Sequence, residues 1–150
     1  MSRALLTDED FDAVTATVLD NNPTMATEMA ERIVHQALAF VGAAALHPDG
    51  RMAPSRVVDE GWHALILHTD TYAALCRRLG GFVHHYPERP DPTRFNAETV
   101  ERTVALIEEA GYTVDHDLWR APDNELVSAA AKCQHSDDKG PIVIIPKPKG

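Results

Sequence analysis

Val58-Asp59-Glu60-Gly61-Trp62-His63-Ala64-Leu65-Ile66-Leu67-His68-Thr69 is the stretch on which the reading of this chain turns. Apolar residues return in it at three- and four-residue steps, the period of a helix with one face on a core. Outward from it, Ser55 after Pro54 is a fitting N-cap and Gly80-Gly81 supplies a stop. The spacing predicts one helix between these signals, about 24 residues and roughly 36 Å long.

The flanking segments read the same way. Thr7 caps a first helix whose opening acids Asp8, Glu9 and Asp10 suit a helix N-terminus, with Phe11, Val14 and Val18 inward. Ala30, Val34, Leu38, Val41 and Ala45 mark a second, strongly apolar helix from about Thr24 to Leu46. A further helix spans roughly Asn96 to Ala110 and stops at Gly111. Tyr112-Thr113-Val114 and Leu118-Trp119 then form a short finish packed on the bundle. The expected fold is all-α: a small bundle of about four main helices over 1–121, then a flexible, largely disordered C-terminal tail over 122–150.

Charge and composition narrow the partners. A formal net charge of -9 at pH 7 repels phosphate backbones and anionic lipid, so nucleic acid and membrane surfaces are not expected partners. No run approaches the roughly 18 apolar residues of a membrane span. There is no cationic start leading into an apolar core, and the two cysteines, Cys76 and Cys133, form no disulfide framework, so a cytoplasmic protein is expected.

The candidate chemistry lies between Asp59 and His85. On a helix turning about 100° per residue, Asp59 and His63 are roughly 40° apart and one turn apart. Asp70 returns to within about 20° of Asp59 but three turns away, and His68 lies about 180° round. Asp59 shares its stripe with Ile66 and Ala73, and a carboxylate facing a core needs a partner. His63 is the nearest, and His84 or His85 is next if the glycine pair turns the chain back. One Asp with two His is the donor set of a facial Fe(II) site, or three ligands of a zinc site with an open position. The metal reading takes Asp59, His63 and His85, with His84 as alternative ligand and zinc or iron as the ion. The plainer reading of the same spacing is a salt bridge or hydrogen bond.

Around this set, Trp62, Tyr72 and Phe82 read as core aromatics. Thr69 reads as a helix back-bonder, and Cys76 as a buried thiol. Trp62, Thr69, Tyr72 and Cys76 are the supporting candidates. Cys133-Gln134-His135 offers a soft donor pair in the tail, too few ligands for a structural zinc site.

Val58 to His63, Ile66 to Thr69, Tyr72, Cys76, Gly81-Phe82 and His84-His85-Tyr86-Pro87 together resemble the glycine-rich domain-containing protein-like family, in its short bacterial branch. Gly111 to Trp119 adds to the likeness. The resemblance maps the family's motif residues onto Asp59, Trp62, His63, Thr69, Tyr72, Cys76, His84 and His85, and implies a polar functional centre around Asp59, His63 and His85 but no particular reaction. Three functions follow as expectations. One is a metal-binding helical protein, and another is a non-enzymatic module that engages a protein partner through its tail. The last is a scaffold whose C-terminus other enzymes modify. Neither an enzymatic reaction nor its absence is expected from the sequence.

Overall fold

A computed structural model describes residues 5–85 and 97–120. Within them the chain forms five α-helices: α1 Asp8–Asn21, α2 Thr27–Leu46, α3 Arg56–Leu67, α4 Thr69–Leu79 and α5 Ala97–Glu109. A 3-10 turn, His116–Trp119, closes the described part, and no strand occurs among the described residues. The all-helical expectation holds. The tail expected over 122–150 lies outside the described residues.

The local signals act as their chemistry predicts. Thr7 Oγ1 accepts from the Asp10 amide at 3.1 Å, and Ser55 Oγ accepts from the Val58 amide at 3.1 Å. Gly80 ends α4 at φ 94°, a left-handed conformation that costs a residue without Cβ little. The Gly81 amide then reaches back to the Cys76 carbonyl at 3.1 Å and completes the cap.

α2 is the central element. Its buried run includes Ile33, Val34, Leu38, Phe40 and Val41, and it packs against α1, α3, α4 and α5. α2 and α3 cross closely at Gly61, where an added Cβ would lie 2.9 Å from the Ile33 carbonyl oxygen. The segment after α5 is tied down by Gln36. Its Oε1 accepts from the Asp115 amide at 3.1 Å and the Trp119 indole at 2.8 Å, while its Nε2 donates to the Thr113 carbonyl at 3.1 Å. Arg32 adds a two-pronged contact to the Asp115 carboxylate, at 2.7 and 2.9 Å.

One expectation is corrected. The single helix anticipated from Ser55 to Gly80 is two helices, which makes five in place of about four. The break falls at His68, whose backbone leaves the helix at φ -87°, ψ 77°. Its Nε2 lies 2.7 Å from Thr17 Oγ1 on α1, and Thr69 and Asp70 begin α4. Asp70 therefore no longer shares a meridian with Asp59. An unbroken helix would hold Trp62 and Tyr72 about 15 Å apart along its axis. With the break, the Trp62 indole N–H donates to the Tyr72 hydroxyl at 3.1 Å.

Candidate functional site: the corner of α3, α4 and Gly81–His85

The corner is assembled by the break at His68 and the reversal at Gly80. α3 presents Asp59, Trp62 and His63, and α4 presents Tyr72 and Cys76. The segment after Gly81 runs back along α3 with its side chains alternating. Val83 and His85 are half-buried, whereas Phe82 and His84 are exposed. That alternation is the period of extended backbone.

His85 faces the carboxylate. Its Nε2 lies 3.2 Å from Asp59 Oδ1, with both side chains about a quarter exposed, at 24% and 23%. The His85 ring also leans on Trp62, centroids 4.6 Å apart, and Trp62 packs in turn on Phe40 at 4.8 Å. Burial disfavours charge on the imidazole, but the hydrogen bond and Coulomb attraction of Asp59 outweigh it, so the pKa of His85 rises.

The Tyr72 hydroxyl, 3% exposed overall with its side chain, donates to the Val83 carbonyl while accepting from Trp62. Burial pushes its pKa up, so it stays a neutral phenol. Phe82 covers Tyr72 edge-on at 5.4 Å and stacks on His84 at 4.8 Å. Beside this cluster a cleft of about 390 Å³ opens between Ala73, Cys76, Arg77, Gly80, Gly81 and Phe82.

The structure thus brings Asp59, Trp62, Tyr72 and His85 together. His63 is exposed, one turn from Asp59, with its ring centroid 6.3 Å from that of His85. His84 points to the Phe82 side. Thr69 is the exposed first residue of α4, and Cys76 is buried behind Tyr72. Cys133 and His135 lie outside the described residues. Among the described residues, no group of three or more His, Cys, Asp and Glu side chains is gathered closely enough to hold a metal ion. Also among them, no helix is long and apolar enough to cross a membrane.

Sequence reasoning missed a buried carboxylate beside the site. Glu60 is 4% exposed and accepts from the Asn22 side-chain amide at 3.1 Å. Burial, only partly offset by that bond, raises its pKa to about 6. Its signal was available: Glu60 stands three and four residues from Val57 and Ala64, on the buried face of α3.

No curated protein and no solved structure matches the chain. The family whose model matches residues 3–103 is UCP032817-like, and this finding replaces the glycine-rich domain-containing protein-like resemblance. The match spans α1 to α4 and every described residue of the corner, and it places the chain where composition and motifs alone misassigned it. The chain belongs to the UCP032817-like family.

Proposed function

We propose that the domain binds a transition metal ion, zinc or iron(II), at the corner of α3 and the segment after Gly81. Asp59 and His85 supply two donors and His63 the third. The observation that carries the reading is the 3.2 Å between Asp59 Oδ1 and His85 Nε2. Two donors about 2.0–2.1 Å from one tetrahedral ion stand roughly 3.3–3.4 Å apart. His63 is exposed one turn along α3, with its ring centroid 6.3 Å from that of His85, which puts it on the same side of the helix as the pair. An ion held by three side chains keeps a position open for water, which it acidifies.

Metal analysis of the full chain purified without a histidine tag tests this. The expected result is close to one equivalent of metal, with a rise in Tm on adding zinc that D59N and H85Q abolish. Less than about a tenth of an equivalent, together with no shift on adding zinc or iron, overturns it.

A second reading rests on the same contact. The 3.2 Å spacing also suits a hydrogen-bonded ion pair, and no third donor is gathered at it among the described residues. Asp59–His85 is then a clasp that holds the returning segment on α3, in a non-enzymatic module that engages a protein partner through its C-terminal tail. On this reading D59N lowers stability equally with and without added zinc.

A further inference from the structure

We propose that Tyr72 is the positioning residue of the Asp59–His85 centre: its hydroxyl, oriented by the Trp62 indole, fixes the Val83 carbonyl and so delivers His85 to Asp59. The inference rests on the metal reading for its consequence, but its geometry stands apart from any ion.

The returning segment leaves α4 through two consecutive glycines and has no helix to hold it. Between Gly81 and His85, the Val83 carbonyl is fastened to the bundle by a side chain, and its donor is the Tyr72 hydroxyl. Val83 precedes His85 by two residues, and extended chain advances about 3.3 Å per residue. Fixing Val83 therefore fixes His85 to a short arc, and the alternation decides which histidine faces inward. The hydroxyl has one proton, spent on Val83, and accepts the Trp62 N–H at 3.1 Å. Its orientation is thereby fixed. Trp62 itself carries the His85 ring, at 4.6 Å. One indole thus registers both the tyrosine and the imidazole. Tyr72 can occupy this place only because the helix breaks at His68.

Removal of the hydroxyl in Y72F keeps the buried ring and deletes both bonds. The test uses the full chain in two arms. The first is side-chain NMR of the histidines without metal. The His85 ring signals are expected to move while those of His47 and His116 stay in place. Unchanged His85 signals overturn the proposal. The second is zinc titration, in which Y72F weakens binding by about tenfold, the usual scale for groups that orient a ligand. Equal affinity in Y72F and a wild-type chain that binds zinc overturns the link to the site. A wild-type chain that takes up no zinc refutes the metal reading, and the NMR arm then decides on Tyr72 alone. If Y72F does not fold, 3-fluorotyrosine is introduced in a Y86F/Y112F background, so that Tyr72 alone carries it, which keeps the shape and strengthens that phenol as a donor. His85 signals that move support the proposal, and signals that stay overturn it.

Discussion

Asp59 on α3 and His85 on the returning segment meet at 3.2 Å across 26 residues of sequence. The contact makes the stability of the corner depend on pH. The pKa of His85 is raised in the folded chain above its ordinary 6.5. A histidine raised in this way stabilises the fold fully below its unfolded pKa, and the contribution fades as pH rises through the folded one. We expect D59N to cost about 1 kcal/mol at pH 5.5 and clearly less at pH 9, the modest size reflecting partial exposure. Urea titrations at the two pH values measure it. Zinc uptake should run the other way, rising with pH, because the ion needs the neutral ring.

Glu60 gives a dependence of separate origin. Its carboxyl is raised from 4.5 to about 6 because burial penalises the charge. An acid raised on folding favours the folded state in acid, and that advantage is lost as pH climbs from about the unfolded to the folded value. E60Q keeps an acceptor for the Asn22 amide and removes the charge. It should be more stable than the wild type at pH 7.5 by about 2 kcal/mol, and no more stable at pH 4. Equal stability at both pH values would contradict the buried-charge account.

At Gly61, alanine would place a methyl 2.8 Å from Ile33 Cγ2 and 2.9 Å from the Ile33 carbonyl oxygen. A carbonyl in mid-helix cannot step aside, so α2 and α3 must part. G61A should cost about 2–3 kcal/mol in urea denaturation. G42A meets the outer end of the Tyr112 side chain instead, so the ring can swing away and the cost should be smaller.

Gln36 holds three groups of the segment Thr113–Trp119. Q36A leaves the buried Trp119 indole N–H without this acceptor. We expect a loss of about 2–3 kcal/mol. The fluorescence of Trp119, read in a W62F background, should shift toward that of exposed indole before global unfolding.

Much of the frame was legible. Thr7, Ser55, Gly80 and Gly111 mark helix ends through chemistry confined to neighbouring residues, and the structure keeps all four. The apolar stripe of α2 needs only its own period. The break at His68 was not legible, because the apolar rhythm runs through it. The contact that meets His68 at the break comes from Thr17, 51 residues earlier in the chain, where no local pattern announces it. Asp59 was read as a carboxylate in want of a partner, with His63 the nearest choice and His84 or His85 the next, and the structure sets it 3.2 Å from His85. Whether His84 or His85 answered it depended on the backbone of a segment without its own periodic signal. Glu60 could have been found from its place on the apolar stripe of α3, whereas Gln36 was missed because its partners, Thr113, Asp115 and Trp119, come together only in the fold.

The side-to-side swing of Phe82, Val83, His84 and His85 has a consequence for any variation in this loop. Length there counts as odd or even. A single residue added just after Gly81 would bring His84 to the place of His85 opposite the carboxylate and turn the Phe82 ring inward in the place of Val83. Two residues would restore the pairing and merely enlarge the bend.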